Sequence, residues 1–349
     1  MGVVIVTGSN GLIGSETVRF FSNQGFEVVG IDNNMREFFF GEEAGTSNVG
    51  SALSEKYPSF KLHEIDIRDD TEIQSLFKRF RSNVELIVHT AAQPSHDWAV
   101  KNPRIDFEVN TLGTFNLLEA MRVYCPNSVF VYMSTNKVYG DSPNRFLYDE
   151  LELRYAPNHK HHFSTNGFDE SLSIDQSLHS IFGANKLAAD ILTQEYGKYF
   201  GLRTTCLRGG CLSGPSHQGA ELHGFLSYLV KCAILNRTYS IFGYKGKQVR
   251  DNLHSVDVVS AIWQVFRAPK IGEVFNLGGG LESNISILEA IEYLKLKGRE
   301  LNFEKNSSNR LGDHQWWISD TRKFKEAYPA WKVTRNCEDI IDETIESLI

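Results

Sequence analysis

Apolar and polar positions alternate along the first half of the chain in two rhythms. Positions 3–7 form an apolar run of strand length, and 12–23 carry apolar residues at helical spacing behind a glycine-rich turn. The same pair of patterns returns down the chain. Strand-like runs fall at 27–31, 61–67, 84–90, 129–134 and 203–207, and helical spacing at 71–81, 107–124 and 178–200. Apolar strands separated by amphipathic helices predict a parallel sheet covered by helices on both faces. Residues 33–58 are rich in Gly and Ser around 41–51 and read as a long loop with a short helix. Residues 141–178 are polar, with Asn, Ser, His and Pro, and read as an excursion from the sheet. Beyond 211 the alternation weakens into helices at 222–236, 256–266 and 287–297 and a strand at 239–241. The expected organisation is α/β: a doubly wound parallel sheet over 1–210, and a smaller lobe over 211–349 from which segments can return to the first.

Composition narrows the function classes. The chain has 349 residues, 41% hydrophobic and 23% charged, which is ordinary for a globular protein with a sizeable core. Its net charge of −7 and lack of a long basic run exclude an extended nucleic-acid surface, though local basic groups can still hold a phosphate. No apolar stretch reaches the roughly 18 residues that a bilayer crossing needs. The chain opens directly on a strand-like run without a basic leader, so a cytoplasmic protein with no membrane partner is expected. Cys125, Cys206, Cys211, Cys232 and Cys337 show no paired spacing, which suggests neither a zinc site nor a disulfide framework. In His159-Lys160-His161-His162 a lysine interrupts the cluster, so the stretch reads as an exposed loop and no metal is expected. Trp316-Trp317 reads as core or interface packing rather than a base-stacking platform.

The chemistry begins in Thr7-Gly8-Ser9-Asn10-Gly11-Leu12-Ile13-Gly14, where three glycines stand between a strand and a helix. Such a turn is tight, lets backbone approach a pyrophosphate, and offers the free N–H groups of a helix start to it. The second strand ends on Asp32, followed by Asn33. A carboxylate there accepts hydrogen bonds from a ribose diol and repels a 2′-phosphate, so NAD is favoured over NADP; Arg36, close by, works against that preference. The fold expected is thus of the Rossmann type.

The glycine spacing resembles that of the extended short-chain dehydrogenase/reductase family, which includes NAD-dependent nucleotide-sugar epimerases and dehydratases. Further matches follow in order along nearly the whole chain: Asp66-Ile67, Ala91-Ala92-Gln93, and Asn110 within Val109-Asn110-Thr111-Leu112-Gly113-Thr114. The resemblance implies that Gly8, Asn10, Gly11, Leu12, Ile13, Gly14, Asp32, Asn33, Arg36, Asp66, Ile67, Ala91, Ala92, Gln93, Asn110 and Lys186 surround NAD. It also implies that Thr135, in Ser134-Thr135-Asn136-Lys137-Val138-Tyr139-Gly140, bonds the sugar oxygen being oxidised. The likeness is strongest to the CDP-tyvelose (CDP-paratose) 2-epimerases, through 134–141, Gly167-Phe168-Asp169-Glu170, His179-Ser180 and Gly246-Lys247-Gln248-Val249-Arg250-Asp251. In those enzymes a sugar C2 is oxidised and then reduced from the opposite face.

One position departs from the family. Its Tyr-x-x-x-Lys pair puts both groups on one helical face, the lysine lowering the tyrosine pKa so that the phenolate takes a hydroxyl proton. Here the lysine is Lys186 and the tyrosine position is Phe182, which has no proton to exchange. Three readings stay open: a replacement made to trap a complex, a protein that uses another base or needs only binding, and a catalytically reduced relative. The candidate substitute bases are His179, His96 and Cys211. The family's 4,6-dehydratases carry Asp-Glu after the threonine; here Asn136 and Lys137 stand there, so water elimination lacks its carboxylates.

For a nucleotide-diphosphate sugar, linked to CDP, UDP or GDP, the resemblance implies Arg250 on the diphosphate and the pair Arg310 and Asp313 on phosphate and ribose. Asn136, Lys137 and Cys211 would complete the sugar side, and the polar loop at 216–223 is a further contact or a solvated loop. The leading expectation is an NAD-dependent nucleotide-sugar epimerase acting through transient oxidation, at C2. The alternatives are a nucleotide-sugar dehydrogenase or dehydratase with a non-standard base, and an NAD- and sugar-nucleotide-binding protein with little catalysis. The helices at about 105–124 and 179–200 are those by which relatives pair, so a homodimer is expected.

Overall fold

The computed structural model describes residues 2–221, 224–309 and 312–349. Its centre is a seven-stranded parallel sheet formed by β1 (Val3–Thr7), β2 (Glu27–Ile31), β3 (Phe60–His63), β4 (Val84–His89), β5 (Val129–Thr135), β6 (Arg203–Gly209) and β7 (Glu273–Leu277). The spatial order is β7-β6-β5-β4-β1-β2-β3, so the winding direction reverses between β1 and β4. Ligands of open α/β sheets bind beyond the carboxyl ends of the strands at such a reversal. The expected Rossmann-type class is the one found.

The strands follow from their side-chain alternation. In β1, Val4 and Val6 face one core with Leu86, Val88, Val129 and Val131, while Val3 and Ile5 face the other with Ile87, Phe130 and Tyr132. Helix α1 (Leu12–Asn23) and the helix Ser255–Arg267 cover the first face through Val18, Phe21, Val258 and Ile262. Helices α2 (Gly113–Tyr124) and α3 (Ser180–Phe200) cover the second through Leu117, Leu118, Met121 and Ala189. Because both faces are buried, strands and helices hold each other by apolar contact at about 25 cal/mol per Å² removed from water.

Several elements differ from the pattern expected. Residues 33–58 are mostly helical, with Met35–Phe40 and Ser47–Lys56 separated by a short 3-10 turn. Their Gly and Ser content hides a periodicity that buries Phe39 and Leu53. The third strand stops at His63 rather than 67, because the Asp66 side chain accepts from the Arg68 amide and turns the chain. The helix foreseen at 107–124 begins earlier, at Pro103–Phe107, and widens through a π turn at Glu108–Leu112 before α2. β7 was not foreseen: buried Asn276 breaks its apolar run, satisfied by bonds with Tyr139, Glu170 and Phe168. Trp317 lies in the core, stacked on Tyr139 and Phe168.

A buried polar network ties β5, β6 and α3 together. Asp190 of α3 accepts from Ser134 Oγ (2.5 Å) and from Arg208 Nε (3.1 Å) and Nη2 (2.8 Å). Arg208 also donates to Tyr139 OH at 2.9 Å. The pair is closed to water, with side chains 6% and 0% exposed. Asp190→Ala therefore leaves a buried guanidinium without its carboxylate and is expected to cost about 3–5 kcal/mol in urea unfolding. A loss below about 1 kcal/mol, the worth of a surface pair, would refute this account.

Candidate active site

A cleft of about 460 Å³ runs without a break along the carboxyl edge of the sheet, from Asp32 past Thr135 and Phe182 to Arg250 and Asp313. Its first part is backbone. Gly8 sits at φ +67°, and a Cβ there would meet Ala91 N at 2.8 Å; a Cβ on Gly14 would meet Gly8 O at 2.0 Å. These contacts seat α1 directly on the turn after β1. No side chain caps α1, and Gly11, Leu12 and Ile13 line the cleft at its start. Uncapped N–H groups with the positive end of the helix dipole behind them suit a pyrophosphate.

Asp32 directly follows β2, with both oxygens engaged by backbone: Oδ2 accepts from Asn10 N (3.0 Å) and Oδ1 from Asn34 N (2.9 Å). Burial pushes its carboxyl up, against those two bonds. Asn33 donates to Asp66 at 3.0 Å, and Asp66 is also gripped by Arg68. Burial works to raise the Asp66 carboxyl, yet the Arg68 bonds hold it below its ordinary value. Arg36 does not turn to Asp32; its Nη2 donates to Gln218 O at 2.5 Å, across the cleft. Asp32 thus stands as a carboxylate at the second strand's end, the arrangement that suits a ribose diol rather than a 2′-phosphate.

The middle of the cleft gathers Thr135, Asn136, Lys137, His96, Phe182 and Lys186. Lys186 is buried; its Nζ donates to Met133 O at 2.8 Å and lies 4.3 Å from the Tyr132 ring centre. Burial lowers its pKa to about 8, partly opposed by Asp190 and Asp106. Asp106 organises the wall behind it. Its Oδ1 accepts from Gln93 Nε2 (2.5 Å) and Asn110 Nδ2 (3.0 Å), and its Oδ2 from Asn185 Nδ2 (2.6 Å). The Lys186 helix is thereby locked to the loop after β4.

At the far end Arg250 Nη2 meets Asp313 Oδ1 at 2.5 Å, and Lys137 Nζ lies 3.8 Å from the same oxygen. Burial alone would raise the Asp313 carboxyl, but Arg250 and Lys137 hold it far below the usual range. Cys211 lines this end, its thiol pushed up to about 11 by burial. Arg310 lies outside the described residues.

The expected residues therefore converge, with exceptions. Asn10, Gly14, Gln93 and Asn110 stand behind the wall, shaping the turn or bonding Asp106, rather than on it. Ser216, His217 and Gln218 do line the cleft. Asp106, Asn185 and Gln248 were not foreseen. Gln248 lines the cleft with Oε1 buried and unpartnered. Asp106 and Asn110 sit four apart along one face, the only local signal of that network.

Residues 4–278 match the model of the NAD dependent epimerase/dehydratase family. The chain belongs to that family. CDP-paratose 2-epimerase from Salmonella typhi is 31% identical over 334 residues, 93% of each chain. UDP-glucuronate 4-epimerase from Thermodesulfobacterium geofontis is 28% identical over 87% of this chain and 85% of its own. Among solved structures, UDP-glucuronic acid 4-epimerase from Bacillus cereus, in complex with UDP-glucuronic acid and NAD, shares the fold. Its TM-score is 0.77 at 23% identity, over 99% of this chain and 100% of that one. Pal from Bacillus thuringiensis superposes with a TM-score of 0.79 at 23% identity, over 99% and 98%. NAD is the cofactor of this NAD-dependent epimerase/dehydratase, and the glycine cradle, the uncapped helix start and Asp32 fit it.

Lys186 makes the cost of such a site measurable. A lysine with a folded pKa of about 8 binds fewer protons than in the unfolded chain between pH 8 and the ordinary lysine range. Its burial penalty, on the order of 3 kcal/mol, is fully present below pH 8 and fades as pH rises toward 10. Lys186→Met is expected to unfold at higher urea concentration than the parent at pH 7, with the gap narrowing as pH climbs from 8 to 10. A Met variant less stable than the parent at pH 7 would contradict this.

Proposed function

We propose that this protein is a nucleotide-sugar epimerase that oxidises a sugar hydroxyl, at C2, and re-forms the carbon–hydrogen bond on the opposite ring face. The observation that carries the reading is the cleft itself. It joins a dinucleotide cradle at Gly8 and Asp32 to a cationic end at Arg250 and Lys137, with Thr135 and Lys186 between them. The 31% identity to a CDP-paratose 2-epimerase supports C2 as the position.

NAD, when bound, supplies the acceptor and donor for the carbon-bound hydrogen. Gly11, Leu12 and Ile13 would hold its pyrophosphate, Asp32 and Asn33 a ribose, Asp66 and Ile67 the adenine, and Ala91 and Ala92 the turn beside it. Lys186 would hold the other ribose, and its buried charge favours electron density building on a nearby sugar oxygen. Thr135 would hydrogen-bond the reacting hydroxyl, with Asn136 beside it. Arg250 would grip the diphosphate in bidentate fashion, with Lys137 as a second cation. Asp313 neutralises both until a phosphate arrives and leaves its oxygens as acceptors for ribose hydroxyls. Arg310 is assigned to phosphate by the family resemblance of Arg310-Leu311-Gly312-Asp313 alone. In this reading 1–210 carries the cofactor and 211–349 mainly the substrate.

Water elimination is disfavoured because Asn136 and Lys137 supply no carboxylate. Phe182 favours one competing reading, a binding protein with little catalysis. No helix among the described residues is long and apolar enough to cross a membrane; we place the protein in the cytoplasm. We also infer a homodimer, since α2 and α3 expose Phe115, Ile181, Ile191, Tyr199 and Phe200, an apolar set that a second copy would cover.

The test is incubation with CDP-paratose and with CDP-, UDP- and GDP-linked hexoses, followed by proton NMR of the sugar and by absorbance of reduced cofactor. The expected outcome is the C2 epimer with no net NADH. Accumulating NADH would make the protein a dehydrogenase, and loss of water a dehydratase. Calorimetric binding without turnover would leave only the binding role.

A further inference from the structure

We propose that His96 exchanges the sugar hydroxyl's proton in place of the phenol that Phe182 lacks; the proposal rests on the epimerase reading. The imidazole of His96 packs edge-on against the Phe182 ring, centroids 4.9 Å apart at 73°. It thus lies one ring away from where the family's phenol would stand. Both side chains line the cleft with Thr135 and Lys186.

The ring is held by structure built around it. His96 Nδ1 and Ser180 Oγ are 2.7 Å apart, and Gly183 N donates to the same Oγ at 3.2 Å. Ser180 adopts φ +61°, a conformation that costs about 1–3 kcal/mol for a side-chain-bearing residue and persists only where the surroundings impose it. Gly312, at φ +76°, packs against the same edge of the ring; a Cβ there would lie 2.9 Å from His96 Nδ1 and Cε1 and 3.6 Å from Ser180 Cβ. The Gly312 carbonyl accepts from Lys137 Nζ at 3.0 Å, so the same turn positions the imidazole and a cleft cation.

The other two candidates lack this placement. His179 Nε2 is tied to Ile174 O at 2.8 Å and to Ser177 Oγ at 3.1 Å, and the residue is absent from the cleft wall. Cys211 reaches the cleft, but its thiol is held protonated by burial.

In the tautomer protonated on Nδ1, His96 donates to Ser180 Oγ and its Nε2 lone pair takes the hydroxyl proton. As the C–O bond becomes a carbonyl, the carbon-bound hydrogen leaves with its two electrons to NAD, the family's cofactor. Proton and hydrogen both return in the second half, on the opposite face, so that imidazole and cofactor end as they began. The serine holds the ring in its orientation, as a third group does for the histidine of a catalytic triad.

The test compares the NAD-loaded parent with His96→Gln, Phe182→Tyr and the double variant H96Q/F182Y, on CDP-paratose and the hexose panel. H96Q is expected to retain calorimetric binding of the sugar nucleotide and to lose turnover by about 10²–10⁴-fold, the usual worth of a positioned acid–base group. H96Q/F182Y is expected to regain turnover, because the phenol replaces the missing base. Parental turnover in H96Q overturns the proposal. So does a loss of both binding and turnover that the tyrosine does not repair, since that is the signature of a merely structural histidine. A parent that binds every sugar nucleotide and turns over none removes the epimerase reading, and the role of His96 with it. An active parent with an active H96Q removes only the latter.

Discussion

One close backbone approach sets the geometry of the cleft: α1 lies on the turn after β1 with no room for a side chain, a Cβ on Gly14 falling 2.0 Å from Gly8 O. A larger residue would lift the helix away from the sheet. With the helix seated, its uncapped first turn points along the sheet edge where the winding reverses. The next strand then runs out into Asp32, the residue after Ile31, whose oxygens take up the amides of Asn10 and Asn34. Cradle and carboxylate are therefore one unit, since Asn10 belongs to the glycine turn itself.

The rest of the cleft is placed by polar groups buried in otherwise apolar layers. Burying a carboxylate is tolerable only when its oxygens are bonded. Asp190 and Asp106 meet that demand by joining different elements: the first links α3 with β5 and β6, the second links α3 with the loop after β4 and the π turn. Both flank Lys186, and their charges partly offset the burial of its ammonium. The lysine therefore depends on a frame whose carboxylates are already bonded by other groups, and its own burial would cost more without them.

Sequence reading succeeds here where the cause is local. Gly8, Gly11, Gly14 and Asp32 stand within one strand–turn–helix–strand stretch, and their spacing alone states the packing that requires them. It fails where the cause is distant. Asn185 bonds Asp106 across 79 positions, and no periodicity announces it. β7 is hidden because Asn276 interrupts an apolar run, although Tyr139 and Phe168 satisfy that side chain from elsewhere. Residues 33–58 hide their helices because Gly50 is small for a spatial reason: a Cβ there would lie 2.6 Å from the Asn10 side chain. The missing phenol at Phe182 was legible, but the imidazole beside it was only one of three candidates until Ser180 and Gly312 came into view.

Charge along the cleft follows the same division of labour. The chain carries −7 overall, yet the wall is zoned. Asp32 and Asp66 stand at one end, and Lys186, Lys137 and Arg250 follow toward the other, with Asp313 against the last two. Carboxylates at the first end accept from hydroxyls; cations at the second attract phosphate. A net negative surface repels extended polyanions, while a local cationic wall with low-dielectric sides still draws in a small one. Asp313 keeps Arg250 and Lys137 from being two uncompensated buried charges, and its retained charge beside them suits a ligand with both anionic oxygens and hydroxyl donors. A sugar joined to a nucleoside diphosphate offers both within one molecule, with its hydroxyls and its phosphates held far enough apart to meet the carboxylate and the cations separately.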